Sequence, residues 1–317
     1  MKASELVRKI LYNRILLLIV MIALLSLVMT IAYPEAFPQA NNLAAILLDT
    51  AQGGILTTGM LILLICGVFD LSAGSTLAFA GIVAGILVKD YDAPAIVAIM
   101  AGIATGFVIG ALNGLIITKL RINALITTLA MQGILRGVTQ IVSPSGVANL
   151  PDQFKPFGQT VFLGLQSPFW IMLIVVIITW FLLSRTRFFR QFYYVGSNPR
   201  AATLSGINIQ FMTVVGFAIM GTCAGLAGTI LASRLSNAVL LAGNGTELRA
   251  ITAALLGGAS LSGGKGTVHG AFLGVFFVAL LQNVLIIARV PVFYQSIIVG
   301  LVLLVAIGID QFGQKKN

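Results

Sequence analysis

The sequence predicts an all-α, polytopic membrane helix bundle, and three observations support this: a high hydrophobic fraction, few charges and long apolar runs. Of the 317 residues, 58% are hydrophobic and 9% are charged, and the mean hydropathy is +1.04. These values lie far from those of soluble globular domains. Apolar runs of about 20 residues cross a hydrocarbon core of about 30 Å as helices, whereas a transmembrane barrel shows short alternating segments.

The pattern of apolar stretches predicts about ten spans within one transmembrane domain over residues 1–317. The spans are 15–32, 44–67, 71–88, 94–118, 122–142, 168–184, 212–233, 249–263, 269–288 and 293–310. With both termini inside, thirteen of the 19 basic residues fall in cytoplasmic segments and five fall outside. The positive-inside rule therefore predicts cytoplasmic N- and C-termini.

The net charge of +10 does not indicate a nucleic-acid partner. The basic residues are scattered between apolar spans, and no basic patch with interleaved aromatic residues accompanies them. Cys66 and Cys223 both lie in apolar runs and match no metal or disulfide spacing. We therefore expect no metal site and no cofactor in this chain.

Two loops are long enough to contact other proteins. The predicted outer loop, about 143–167, is rich in proline. In the predicted cytoplasmic loop, about 184–211, Asn198 can cap a short helix, Pro199 can occupy its first turn and Gly206 can end it. The second loop therefore predicts a short amphipathic helix at the membrane surface.

Two short matches suggest an internal repeat at different offsets. "NGLII" (113–117) matches "NVLII" (283–287) at an offset of 170 residues, which equals about five spans and would invert the second half of the chain. "LSAG" (71–74) matches "LSGG" (261–264) at an offset of 190. The first match predicts an inverted repeat, and the second competes with it.

"ASLSGGKGT" (259–267) is similar to a phosphate-binding loop but departs from it twice. Ala259 replaces the first glycine, and Gly266 follows Lys265 where serine or threonine is needed. The strand-loop-helix context of such a site is also missing from this apolar chain. We therefore expect a glycine-rich break between helices, with Lys265 at the cytoplasmic face.

Polar residues inside the apolar spans are candidate substrate contacts, because they are costly in lipid. Asn123, Thr127, Thr128, Gln132 and Arg136 form a stripe on one helix, which faces either a wet pathway or a neighbouring helix to which it hydrogen-bonds. The predicted pathway residues are Asp70, Ser72, Asn113, Asn123, Thr127, Thr128, Gln132, Arg136 and Asn283. Asp49 and Gln282 are similar but less clustered, and Glu247 with Arg249 is either a solvated ion pair or a substrate contact.

Asp70 lies where two predicted spans meet, within "GVFDLSAGST" (67–76). Its carboxylate can accept hydrogen bonds from the free amides at the start of the next helix and complement the helix dipole. Ser72 and Ser75 can satisfy further polar groups there. We expect Asp70 to cap this helix, with a direct contact to the substrate as the alternative.

Four blocks of the sequence resemble the membrane subunits of bacterial monosaccharide ABC importers, the ribose, arabinose, galactose and xylose permease family. The resemblance covers nearly the whole chain in order. The blocks are "GVFDLSAGS" (67–75), "ALNGLIITKLRINALITTLAMQGILRG" (111–137), "GSNPRAATLSGIN" (196–208) and "GTELRAITAALLGGASLSGGKGTVHGAFLG" (245–274).

The resemblance implies a permease domain in the bacterial inner membrane that works with three partners. These are a second permease copy, identical or paralogous, a cytoplasmic ATPase that binds the ATP, and a periplasmic sugar-binding protein. The residues that would contact the ATPase are Gly196, Asn198, Arg200, Ala201, Ala202, Ser205, Gly206 and Ile207. Many relatives carry an acidic residue where Pro199 or Arg200 stands, so the resemblance supports the helix but no specific salt bridge with the ATPase.

The implied function is import of a monosaccharide by a subunit that is not itself an enzyme. "FDLS" (69–72) and "KLRINALITTLA" (119–130) look most like the arabinose branch, which favours a pentose. Related permeases carry furanoses, polyols or autoinducer-2, and these remain alternatives. An ion-coupled secondary transporter would need buried ionisable pairs, and a lipid-modifying enzyme would need a catalytic constellation; the sequence shows neither.

Overall fold

A computed structural model describes residues 14–291, 293–295, 297–298, 300–302 and 304–305, and most of these residues are helical. The strands Val161–Phe162 (β1) and Leu165–Gln166 (β2) form an antiparallel hairpin, with Phe162 opposite Leu165. A 3-10 turn, Asp152–Phe154, precedes it. The elements are α1 (Arg14–Ala32), α2 (Ala40–Cys66), α3 (Ala73–Lys89), α4 (Ala95–Lys119), α5 (Ala124–Val142), α6 (Pro156–Gln159), β1 (Val161–Phe162), β2 (Leu165–Gln166), α7 (Ser167–Arg185), α8 (Arg187–Ser197), α9 (Pro199–Leu204), α10 (Ile209–Leu235), α11 (Thr246–Leu256) and α12 (Val268–Ile287).

The predicted membrane helix bundle is confirmed. Among the described residues, seven helices are long and apolar enough to cross a membrane: α1, α2, α4, α5, α7, α10 and α12. Helix α3 is apolar and slightly shorter, at 17 residues. Residues 1–13, which include the basic residues Lys2, Arg8 and Lys9, lie outside the described residues, and the last predicted span, 293–310, lies only partly within them.

The predicted span 249–263 is wrong. Helix α11 has 11 residues, so it rises about 16 Å, roughly half of a hydrocarbon core of about 30 Å. Gly257 follows its last turn, and residues 257–267 are not helical. Several glycines there, including Gly258 and Gly263, adopt positive φ angles that glycine tolerates without strain. The glycine-rich break expected at 259–267 is confirmed and begins two residues earlier, at Gly257. The span was predicted too long because hydropathy does not show where the helix ends.

The two ends of the bundle are distinct, and we name them after their surface elements. At the α9 end, α2 terminates against the segment 257–267, where the Gly264 amide donates to the Ile65 carbonyl at 2.8 Å. At the hairpin end, α10 terminates beside the loop before β1, where the Ser233 hydroxyl donates to the Phe154 carbonyl. Helices α2 and α10 therefore run in opposite directions.

The order of elements repeats in the second half of the chain with inverted direction. Helices α2 and α10 both contain 27 residues, and each is followed by an irregular segment, a shorter helix and another long helix. The paired helices α2 and α10 begin 169 residues apart, and the pairs α3 with α11 and α4 with α12 each begin 173 apart. These spacings favour the 170-residue offset of "NGLII" and "NVLII" over the competing offset of 190.

Glycines bring α4 and α10 into backbone contact near the centre of the bundle. The backbone of Gly106 packs against Gly221 and Gly225, and Gly110 packs against Phe217. Small residues permit such close approach, which drives helix association where lipid removes the hydrophobic effect between helices. Together with α2, whose residues 54–66 are all buried, these helices form the core that holds the two shorter helices, α3 and α11.

Candidate functional site

The turn between α2 and α3 carries Asp70 into the interior of the protein. Gly67 adopts a φ of 86° after the last residue of α2, and the Val68 amide donates to the Leu63 carbonyl at 3.0 Å. This is the usual left-handed glycine ending of a helix. The chain then turns back into the bundle. Asp70, three residues before the start of α3, is therefore only 1% exposed.

The expected capping contact of Asp70 is present. One carboxylate oxygen, Oδ1, accepts from the Ser72 amide at 2.7 Å and from the Ser72 hydroxyl at 2.6 Å. From α4, the Asn113 side-chain amide donates to the Ser72 hydroxyl at 2.9 Å. Asp70, Ser72 and Asn113 therefore form one buried polar cluster that fixes the start of α3 against α4.

The polar stripe of α5 faces the protein interior in its second half. The Gln132 amide donates to Glu247 Oε1 at 3.3 Å, and the Arg136 guanidinium donates to the carbonyls of Leu240 and Ala242 at 2.8 and 3.1 Å. The Arg136 bonds hold the segment 236–245, which connects α10 to α11, and the Gln132 bond holds the first turn of α11. In this half of the stripe the residues hydrogen-bond to neighbouring segments.

The first half of the stripe differs in its surroundings. Asn123 is exposed and caps α5, accepting from the Leu125 amide at 2.8 Å. Thr128 is buried and its hydroxyl donates to the Ala124 carbonyl within the same helix. Thr127 is also buried, and its hydroxyl has no hydrogen-bond partner among the described residues.

Glu247 and Arg249 do not form the solvated ion pair that the sequence suggested. Glu247 is 5% exposed and bonds to Gln132, whereas the Arg249 guanidinium donates to Gln282 Oε1 on α12 at 3.2 Å. Residues two apart on a helix point in different directions, so the two side chains meet different neighbours. Sequence reasoning missed this contact of Glu247 because it did not recognise α11 as a half-length helix. The contact with Gln132 also spans 115 residues of sequence.

The first turns of α3 and α11 lie next to each other, and the two helices lead to opposite ends of the bundle. The backbone of Gly74 is so close to that of Gly243 that a methyl group on either residue would clash. Asp70 and Glu247 place one carboxyl group beside each helix start. Helix N-termini carry partial positive charge, and paired broken helices are a recurring feature of binding sites in membrane transporters.

Asn283 lies apart from the other predicted pathway residues. Its side-chain amide donates to Asn42 Oδ1 at 2.6 Å and joins α12 to α2 at the hairpin end. The predicted pathway residues therefore fall in three places: Asp70, Ser72 and Asn113 at the start of α3, the stripe of α5, and Asn283 beside Asn42.

The predicted surface helix is confirmed as α9. Asn198 Oδ1 accepts from the Ala201 amide at 3.0 Å, Pro199 occupies the first turn, and Gly206 follows the helix with a φ of 82°. Within α9, Ala202 is buried, whereas Leu204 is 90% exposed. One face of the helix therefore packs on the rest of the protein, and the other face is exposed.

Helices α8 and α9 enclose a basic cavity at the surface. Its volume is about 550 Å³, and Arg187, Arg190 and Tyr194 are among its lining residues. Below it, the Tyr193 phenol donates to the Gly266 carbonyl at 2.9 Å, and burial raises the pKa of this phenol. Gly196 packs directly against the backbone of Ile65 and Gly264, so α8 contacts both the end of α2 and the segment 257–267.

Comparison with known proteins gives a match over most of the chain. Residues 42–307 match a family described as branched-chain amino acid transport system permease component. The ribose import permease protein RbsC of Escherichia coli K12 is 40% identical over 298 residues, which cover 92% of both chains. The L-arabinose ABC transporter permease protein AraH of Azospirillum brasilense is 34% identical, covering 96% of this chain and 88% of the relative. The D-allose transport system permease protein AlsC of E. coli K12 is 33% identical, covering 89% and 87%. No solved structure matches.

Proposed function

The chain belongs to the branched-chain amino acid transport system permease component family, and we propose that it carries a pentose through the bacterial inner membrane. At the coarser level it is a multi-pass permease of a sugar ABC importer and not an enzyme. The match to a ribose import permease over 92% of both chains is the observation that carries the proposal. The permease itself needs no cofactor, because the ATP is bound by a separate ATPase.

Ribose and arabinose are the first sugars to test. The relatives named for ribose reach 40% identity, and those named for arabinose reach 34%. Both sugars are pentoses, and the relative named for the hexose allose is 33% identical, so allose is tested beside them. The arabinose-like segments 69–72 and 119–130 keep arabinose beside ribose as a candidate.

The basic α8–α9 surface supports docking of the ATPase at the α9 end, which we place in the cytoplasm. A contact there would reach α2 and the segment 257–267 through Gly196, so closure of the ATPase could move both halves of the bundle. The hairpin end then faces the periplasmic sugar-binding protein. A second permease copy, identical or paralogous, completes the assembly.

The test is uptake by the whole importer in proteoliposomes. The permease is purified with the ATPase and binding protein that accompany it, and radiolabelled ribose, arabinose and allose are offered in turn. We expect pentose uptake that needs ATP and stops with vanadate. Uptake by the permease alone under an ion gradient would support a secondary transporter and overturn the proposal, and uptake of allose alone would overturn the pentose assignment.

Charge reversal tests the ATPase contact. We expect Arg200→Glu to reduce both ATPase co-purification and sugar uptake, and Gly206→Trp to do the same by displacing the chain after α9 from its left-handed turn. Lys119→Glu is the matched control, because Lys119 is an exposed cation at the α9 end outside this segment. Equal retention of the ATPase by all three variants would show that α9 is not the docking element.

A further inference from the structure

A polar cavity lies between α2, α11 and α12, apart from the Asp70 and Gln132 clusters. Its volume is about 150 Å³. Six of its lining residues carry polar side chains: Asp49, Gln52, Thr57, Thr246, Arg249 and Gln282. The first turn of α11, which contains Thr246 and Arg249, forms one wall.

The cavity has two charged residues, Asp49 in the membrane-spanning helix α2 and Arg249 in the first turn of the half-length α11, and both are exposed on the isolated chain. Asp49 lies nine residues into α2, about 14 Å along its axis from the hairpin end, and Gln282 lies about 8 Å from the end of α12. Exposed charges at such depth are costly against lipid and normally face a water-filled path or another protein surface. This face of the bundle therefore does not contact lipid tails.

Thr57 gives an independent sign that the cavity receives a polar group. Buried threonines in helices usually donate to the carbonyl four residues earlier, as Thr50 and Thr58 do in the same helix. Thr57 is 1% exposed and lines the cavity, but its hydroxyl has no partner among the described residues. Such an orphaned group suits a site that is filled from outside the chain.

The lining is balanced in charge and rich in both donors and acceptors. Asp49 contributes an acceptor and a negative charge, and Arg249 a positive charge and five donors, one of which bonds to Gln282 at 3.2 Å. Val275 and Val278 supply an apolar wall. A neutral solute with several hydroxyl groups matches this combination better than an ion does. An ion of either sign would be repelled by whichever of Asp49 and Arg249 carries the same charge.

We propose that this cavity is a transient binding subsite for a monosaccharide on its way through the permease, with Asp49, Arg249 and Gln282 contacting its hydroxyl groups. The inference rests on the proposed function and assigns the contact to residues other than the α5 stripe.

Substitutions inside the cavity test its role in transport. Asp49→Asn, Arg249→Gln and Gln282→Ala are each assembled with the ATPase and binding protein, and sugar transported per ATP hydrolysed is measured. Loss of a hydrogen bond to a charged group corresponds to about a tenfold change, so we expect about tenfold less sugar per ATP for the two charge variants, with ATPase co-purification unchanged. Gln140→Ala, an exposed glutamine of α5 outside the cavity, is the control and should match wild type.

Chemical labelling tests occupancy without transport. Gln52→Cys places a thiol in the cavity wall, and ribose or arabinose should slow its labelling in the purified permease, whereas labelling of Asp90→Cys should not change. If wild type transports sugar while the cavity variants keep the wild-type ratio and Gln52→Cys is not protected, the subsite is overturned. If sugar protects Gln52→Cys but the complete importer moves none with ATP, the proposed function fails and the subsite stands.

Discussion

Asp70 is held by neighbours close in sequence and by one residue from another helix. Its bonds to the Ser72 amide and hydroxyl are local, whereas Asn113 reaches Ser72 across 41 residues of sequence. The local part follows from the preference of aspartate for helix starts. The structure adds that this start is fully buried, so the backbone amide of Ser72 has no access to water.

Replacement of Asp70 separates capping from a role of its charge. We expect Asp70→Ala to lower the free energy of unfolding by about 1–3 kcal/mol, because a buried amide loses its acceptor. Asp70→Asn keeps an acceptor and should unfold within about 1 kcal/mol of wild type. Thermal unfolding in nanodiscs measures both, with the exposed Asp90→Ala as control. Near-normal stability but a large loss of uptake in Asp70→Asn would show that the charge does more than cap the helix.

Glu247 shows why sequence reasoning is weaker for contacts across the bundle. Its carboxylate and Arg249 appeared to be a pair because they are close in sequence, but Gln132 and Gln282 bind them instead. Those partners are 115 and 33 residues away, and only the packing of α5 and α12 against α11 brings them together. Helix starts and caps could be predicted from local spacing, and the interior polar partners could not.

At the scale of elements, the glycine ridge of α4 determines how closely α10 can approach. Gly106 faces the backbone of Gly221 and Gly225, where a side chain has no room. Gly133 on α5 has the opposite environment, with open space where a side chain would extend. The two positions therefore form a matched pair for testing close packing.

We expect Gly106→Leu to prevent the close contact between α4 and α10 and to lower the free energy of unfolding by about 1–3 kcal/mol or more. Gly133→Leu should leave it within about 1 kcal/mol of wild type, because leucine fits the open space and favours helix over glycine. Thermal unfolding of both purified permeases provides the comparison. Equal destabilisation of both variants would contradict the importance of the ridge.

Most elements could be predicted from hydropathy because long apolar runs have few ways to satisfy their backbone in lipid. Helices α1, α2, α4 and α7 begin and end within about four residues of the predicted spans. The segment 249–263 is also largely apolar, but its helix ends at Leu256 and is followed by glycines with positive φ angles. Hydropathy alone does not locate that end, so half-length α11 looked like a complete span.

At the scale of the whole molecule, the two ends of the bundle present matched apolar residues that report orientation. Leu163, at the tip of the hairpin, is 76% exposed, and Leu204 on α9 is 90% exposed. Cys66 and Cys223 are buried, so native thiols will contribute little labelling. Single cysteines at the two positions can therefore be compared in otherwise unchanged protein.

We expect a membrane-impermeant thiol reagent to label Leu163→Cys in intact cells, and to label Leu204→Cys only after the inner membrane is opened. The physical reason is the excess of basic residues in the segments that share the α9 side. Wild type, with its two buried cysteines, is the background control. Labelling of Leu204→Cys in intact cells would reverse the orientation and place the ATPase surface elsewhere.

The half-length helix α11 also constrains how the chain is made. During synthesis, α11 and the glycine-rich segment after it emerge before α12, and α11 alone is too short to span the bilayer. In the finished protein, the backbone of Gly257, which follows α11, packs closely against that of Gly270 in α12. We therefore expect α11 to reach its final position only after α12 has been made, so that the second half of the chain inserts as one unit rather than span by span.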